Sequence, residues 1–265
     1  MNDKTLASFR TDLLALTSLT VLAFLYSVAT AGTFFGKSLI AGAVFILPCV
    51  AYLGWRKPKP WRKIIASSLL FGLALGFFFE FIQEYTQAYT VVSRIFPKLF
   101  GVVPIDNILG HFMMALLTFT FYEHFVAQKV NANISHRFKY AVYLVATMIA
   151  AVIGIYYVHP SWLMVPYPYV VFGTLAVLPV FTYAYRHPKS VRDFCLMAPF
   201  FFFLYFVIEI AAVHYSWWTY PGHNHIGWVS LPGIRFPFEE LFYWMLFYAV
   251  ALTAYYKSFV DRPAE

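Results

Sequence analysis

Two adjacent glutamates, Glu239 and Glu240, follow Pro237 at the mouth of the apolar, aromatic run GIRFPFEELFYWMLFYAVALTAYY. In the first half of the chain Asp106 and Asn107 follow Pro104 in the same way, within GVVPIDNILGHFMMALLTFTFYEHF. Glu80, Glu84 and Glu209 stand in the last turns of two further aromatic-rich runs. Neighbouring carboxyls whose environments differ can supply an acid and a base together. A carboxyl in an apolar pocket keeps its proton because burial disfavours the charged form. Phe and Tyr number 30 and 20, many of them in FFFEF, FFFFLYF and FYWMLFY. Aromatic faces attract cations, by roughly 0.5–2 kcal/mol each when desolvated. Acid, base and aromatic walls together suit chemistry through a carbocation on an apolar polyene. Glu239, Glu240, Glu209, Glu80 and Asp106 are therefore the candidate catalytic residues. Glu84, Asn107, His111, Trp217, Trp218, Tyr220, Tyr243 and Trp244 are candidates to contact a substrate.

The elements that must position these groups are membrane spans. At 265 residues, 61% hydrophobic and 12% charged, the chain carries more apolar surface than a soluble domain of its size could bury. Apolar runs near 13–31, 38–54, 64–84, 108–127, 138–158, 167–185, 194–214 and 238–257 predict an all-α, polytopic bundle of about eight spans. The first run reads as a retained helix, not a signal peptide. The net charge of +7 sits in short loops, so it signals topology and not nucleic acid. One face takes Lys4, Arg10, the loop RKPKPWRK, Lys129, Arg137, Lys139, Arg186, Lys189, Arg192, Lys257 and Arg262, which is 15 of the 19 basic residues. Lys37, Arg94, Lys98 and Arg235 fall on the other. Because Lys and Arg are retained inside, both termini are expected on the cytoplasmic side of the cell membrane. Cys49 and Cys195 lie in or beside apolar stretches and imply neither a disulfide nor a redox site.

The chain also reads as two copies of one unit. WRKPKPWRKIIASSLLFGLALGFFFEFIQEY aligns with YRHPKSVRDFCLMAPFFFFLYFVIEIAAVHY, and Pro104, Asp106 and Asn107 align with Pro237, Glu239 and Glu240, at an offset of about 130 throughout. Residues 1–130 and 131–265 thus form two four-helix repeats, and an even number of spans makes them parallel. Of the 12 acids, Glu80, Glu84, Asp106, Glu209, Glu239 and Glu240 converge on one membrane level. Intramembrane carboxylates cost on the order of 2.5–3.5 kcal/mol at a helix centre, which makes such a cluster functional by default. Proline followed by acids is also an ordinary helix start. That accounts for Asp106 and Glu239 but poorly for Glu80 and Glu209, near helix ends where negative charge is disfavoured.

Pro237-Phe238-Glu239-Glu240, preceded by Gly233 and by Trp217, Trp218 and Tyr220, resembles the Pro-x-Glu-Glu signature of the small membrane-embedded lycopene cyclase domains. These are the heterodimeric and fused carotenoid cyclases, unrelated to the Rossmann-type flavin cyclases. The resemblance implies paired helical domains, no cofactor, a lipophilic polyene or isoprenoid taken from the bilayer, and association with other carotenoid or terpenoid enzymes. It also implies that Glu239 and Glu240, with Asp106 in the first half, protonate an acyclic end and close a ring. The first half departs from the pattern, with Asn107 where the second acid would stand, and eight spans exceed the usual count for two such domains. A shorter polyprenyl substrate or a carotenoid hydratase reaction fits those departures, as do the small terpene cyclases of meroterpenoid pathways.

Other constellations point elsewhere. His214, His223 and His225, in HYSWWTYPGHNHIGWVSLPGIR, could bind zinc or copper, or simply belong to a wet interfacial loop that covers the acids. His111 and His124 do not supply the His boxes of a membrane di-iron oxygenase, and no GxGxxG or P-loop occurs. The alternative to an enzyme is a proton-coupled transporter of a small lipophilic or cationic substrate, which a parallel repeat with corresponding acids would also suit. A non-catalytic lipid-binding or assembly subunit is a third possibility.

Overall fold

The computed structural model describes residues 3–127 and 131–261. Lys129, Arg262 and the proposed repeat boundary at 130 lie outside those residues, as does the side chain of Lys4. The helices are α1 (Asp3–Thr30), α2 (Ser38–Arg56), α3 (Trp61–Tyr85), α4 (Ile105–Phe125), α5 (Phe138–Val158), α6 (Pro168–Arg186) and α7 (Ser190–His214). The last, α8, runs over 240–260 as Glu240–Leu246, Tyr248–Tyr255 and Tyr256–Val260. All lie within a few residues of the apolar runs except at the start of α1, which begins at Asp3, well before its run at 13–31.

Among the described residues, six helices are long and apolar enough to cross a membrane: α1 over Ser8–Thr30, α2, α3, α5, α6 and α7. Leu14, Leu22, Leu144, Leu175 and Phe181 stand exposed on three of them, surface that lipid accommodates and water does not. α4 and α8 are the interior helices. α4 packs on α2, α3 and α8 and carries Asp106, His111, Glu123 and His124, a polar load that lowers its hydropathy. Buried hydroxyls follow the membrane rule of internal satisfaction: Thr20, Ser27, Ser67, Ser68, Thr118 and Thr253 each donate to the carbonyl four residues back.

One helix crossing sets the site. Gly72 and Gly76 on α3 form a small-xxx-small stripe of the kind that lets membrane helices approach closely. A Cβ on Gly72 would stand 2.7 Å from the Ala115 Cβ, and one on Gly76 2.9 Å from the His111 Cβ. α4 therefore lies close enough on α3 for His111 to reach Glu80, one turn further along. A π-helical turn over Ser68–Ala74, which includes Gly72, shifts the phase of α3 at that crossing.

The all-α expectation is amended in the loops, which hold three antiparallel two-stranded ladders. β1 (Thr90–Val91) pairs with β4 (Trp218–Thr219), joining the loop after α3 to the loop after α7. β2 (Lys98–Leu99) pairs with β3 (Val103–Pro104). β5 (Trp228–Leu231) pairs with β6 (Ile234–Pro237) through a Pro232-Gly233 turn, where Gly233 takes the positive φ of 72° that a two-residue hairpin turn needs.

Candidate functional site

The loops deliver aromatic side chains onto carboxylates at the ends of α3, α7 and α8. Glu80, buried in the last turns of α3, accepts from His111 Nε2 at 2.7 Å, from Asn107 Nδ2 at 3.2 Å and from the Tyr89 hydroxyl. Asn107 Nδ2 also lies 2.6 Å from the Tyr89 hydroxyl. His111 Nδ1 faces the Tyr248 hydroxyl at 2.8 Å. His111 thus joins Glu80 to Tyr248, one through each ring nitrogen. Glu209, fully buried on α7, accepts from the Tyr220 hydroxyl at 2.6 Å and more distantly from Trp218 Nε1 at 3.4 Å. Its second oxygen has no hydrogen-bond partner among the described residues. Glu240, in the first turn of α8, accepts from the Tyr169 hydroxyl of α6.

Each of these acids thus meets a phenol. The rings of Tyr89, Tyr169 and Tyr220 gather, with Tyr89 6.4 Å from Tyr169 and 6.5 Å from Tyr220. In the loops, burial and the adjacent carboxylates (Glu80 for Tyr89, Glu209 for Tyr220) push both phenols well above their ordinary pKa and keep them as donors. A cavity of about 200 Å³ lies among these groups. Glu80, Asp106, Asn107, His111, Glu209, Trp217, Trp218, Tyr220, Glu240, Tyr243 and Trp244 line it, and so do Tyr89, Tyr169 and Tyr248. Phe71, Leu75, Val177, Leu252 and Tyr255 continue the wall toward the other end of the bundle. No Lys or Arg among the described residues lines it.

Three candidates are held differently from the expectation. Glu84 accepts from the Val91 amide at 2.8 Å and from Lys98 Nζ at 2.7 Å, an anchor of the outer loop outside the cavity wall. Asp106 touches the cavity, yet its two oxygens accept the Ile95 and Phe96 amides at 2.7 and 3.0 Å. Glu239, with no exposed surface, accepts the Ile226 amide at 2.6 Å and does not line the cavity. Asp106 and Glu239 therefore each clamp a loop to a helix start, one residue before Asn107 or Glu240, which faces the cavity.

The three loop histidines do not meet. Among the described residues no three His, Cys, Asp or Glu side chains gather as a metal site. His214 and His223 are exposed. The His225 side chain is buried 4.0 Å from Glu239, with its ring 6.0 Å from that of Tyr169 and 6.3 Å from that of Tyr220, so it caps the phenol cluster. Burial lowers its pKa, against the pull of Glu239.

Sequence reasoning missed Tyr89, Tyr169 and Tyr248. A signal existed for the first: Tyr89-Thr90 and Trp218-Thr219 each begin nine residues after a glutamate, Glu80 and Glu209 respectively. Tyr169 and Tyr248 sit among many aromatics with nothing in their spacing to distinguish them. No family model matches the chain, and neither the curated proteins nor the solved structures contain a match.

Proposed function

We propose that this chain is an integral-membrane enzyme that protonates and cyclises one end of a polyprenyl or carotenoid chain by carboxylate acid/base chemistry, in the manner of the Pro-x-Glu-Glu cyclases it resembles. The observation that carries the proposal is the meeting of Glu80, Glu209 and Glu240 on one aromatic cavity that no Lys or Arg among the described residues lines. Glu209, with an oxygen that has no partner among the described residues, is the proton donor to a terminal alkene. Protonation leaves a tertiary carbocation, an internal double bond attacks it to close the ring, and loss of a ring proton to Glu240 restores the alkene. The proton count is unchanged, so the reaction is an isomerisation and needs no cofactor. Trp218, Tyr220 and Trp244 offer π faces to the cation. Glu80 with His111 and Asn107 holds the opposite wall. An apolar cavity of about 150 Å³ takes one benzene ring, so about 200 Å³ suits one end group of a polyene and not its whole length.

In this proposal the chain crosses the membrane eight times as two parallel four-helix repeats, with both termini cytoplasmic and α4 and α8 at the centre. Contacts between corresponding residues support the repeat. Thr90 pairs with Thr219, the His111 and Trp244 rings lie 5.9 Å apart, and Tyr256 donates to Glu123 at 2.6 Å. Residues at an offset of about 130 touch their own counterparts where two copies meet along a two-fold axis.

The test is expression in a host that accumulates acyclic carotenoids, followed by pigment analysis. Ring-bearing product is expected from the wild type and not from Glu209→Gln or Glu240→Gln. Full product from both variants would sink the assignment. Acids and aromatic rings without a basic residue also suit an organic cation, which favours proton-coupled transport as the second reading. Proton-dependent uptake of such a cation into proteoliposomes, absent from Glu209→Gln, would select it.

A further inference from the structure

One side chain belongs both to the cavity wall and to the outer surface of the bundle. Tyr243 lines the cavity, and its hydroxyl shares a 2.8 Å hydrogen bond with Thr174, which is exposed on α6. Its ring lies flat on Gly173: a Cβ at that position would stand 2.5, 2.7 and 2.8 Å from ring atoms Cγ, Cδ2 and Cδ1. The space that any other residue at 173 would fill is taken by the tyrosine. Gly173 and Ala176 line the same cavity from α6, while Leu175 and Leu178 beside them are exposed. Tyr243 rides on the π-helical stretch Glu240–Leu246, a backbone form concentrated at functional sites.

We propose that Tyr243 is a lateral gate, seated on Gly173 and latched to Thr174, through which an isoprenoid chain dissolved in the bilayer reaches the cavity between α6 and α8. The inference rests on the cavity being an isoprenoid site. In hydrocarbon neither hydroxyl has water to turn to, so each satisfies the other and the closed position is favoured. Swinging the ring off Gly173 costs that bond and little packing on the α6 side, where there is no side chain to disengage. A water-soluble substrate would have no use for an opening that faces lipid.

The test follows passage without relying on turnover. Protein with the exposed Trp55, Trp61, Trp162 and Trp228 replaced by Phe is mixed in liposomes with a brominated saturated diterpenoid hydrocarbon, and quenching of the remaining tryptophans is recorded by stopped flow, since Trp217, Trp218 and Trp244 line the cavity. Tyr243→Phe with Thr174→Val removes the latch and keeps the ring. It should raise the quenching rate about threefold, the factor set by a membrane side-chain hydrogen bond of average strength, at unchanged final amplitude. Gly173→Cys with Tyr243→Cys puts two thiols within disulfide reach, because the 173 Cβ already stands 2.5 Å from Tyr243 Cγ. Oxidation then pins α6 to α8 and should slow quenching, with the reduced form restored by dithiothreitol. Rates indifferent to both the latch and the crosslink, with full final quenching, overturn the gate and leave the cavity assignment standing. Absence of quenching in the unaltered protein overturns both, since the gate then has nothing to admit.

Discussion

The bundle buries acids at both ends, and those that line the cavity at one end are held differently from those at the other. At the end where α1 begins and α8 ends, each acid whose side chain is described has a cation or histidine. Asp12 takes Arg56 Nε at 2.7 Å and His124 Nε2 at 2.8 Å, Lys63 bridges Glu123 at 3.1 Å and Asp261 at 2.8 Å, and Lys257 meets Asp193. The Lys63 ammonium also sits 4.9 Å from the Tyr256 ring centre. None of these groups lines the cavity. At the other end Glu80, Glu209 and Glu240 take phenols, an imidazole, an indole and an amide, and they surround a void. Charge neutralised by charge locks helices together. Acids held by hydroxyl, indole, amide and imidazole groups around a void have no Lys or Arg among the described residues to fix their charge, and that is the physical difference between a brace and a reaction site.

The sharpest way to break this contrast is to neutralise one acid at each end. Glu209→Gln keeps shape and one acceptor, so the melting temperature should hardly move, while product formation falls by about 10² to 10⁴, the usual contribution of a general acid. Lys63→Met should do the reverse. It strands Glu123 in a buried site and should cost about 3–5 kcal/mol of stability, the penalty for removing one partner of a buried ion pair. Denaturation in detergent reads the second effect and pigment analysis the first. A Glu209→Gln protein that melts far below the wild type would place that acid among the braces.

A smaller effect separates acids within the outer end. Asp106→Asn replaces one of two oxygens that accept the Ile95 and Phe96 amides with an NH₂ group, leaving an amide unsatisfied. A loss of about 1–3 kcal/mol is expected. Retained product per folded molecule would confirm a clamp, and loss of product at normal stability would return Asp106 to the chemistry.

How much of this was legible follows from what spacing encodes. Helix positions came through well because about 20 apolar residues leave the chain no other stable form in lipid. The acids on one level were also visible. Their division of labour was not, because Glu239 and Glu240 are adjacent, and a helix start turns neighbours to different sides. Glu239 faces the Ile226 amide and Glu240 the cavity. Pro-x-Glu-Glu reads the same whichever of the two is the clamp. The partners of the acids lie far away in sequence, Tyr169 being 71 residues from Glu240, and no periodicity links them. His223 and His225 looked like part of a ligand set because His-x-His is short-range, yet His214 ends α7, His223 is exposed and the His225 side chain is buried.

The gentlest probe of the contrast is pH at the braced end. Lys59, in the turn between α2 and α3, sits 3.0 Å from His124 Nδ1, with Lys57, Glu123 and Asp12 also nearby. Burial, aided by the charge of Lys57, lowers its pKa from 10.5 to about 8. Folding thus favours the neutral amine. Below about pH 8 the lysine is charged in both the folded and unfolded chains, and the full cost of burying that charge is present. As pH rises above 8 the folded protein sheds the proton first, so stability should increase until the exposed tyrosines of the unfolded chain begin to ionise near pH 10. Melting temperature measured across that window should climb slightly in the wild type and stay flat in Lys59→Met. An equal climb in both would mean that the braced end has no such strained cation, and that its charges are as fully matched as its salt bridges suggest.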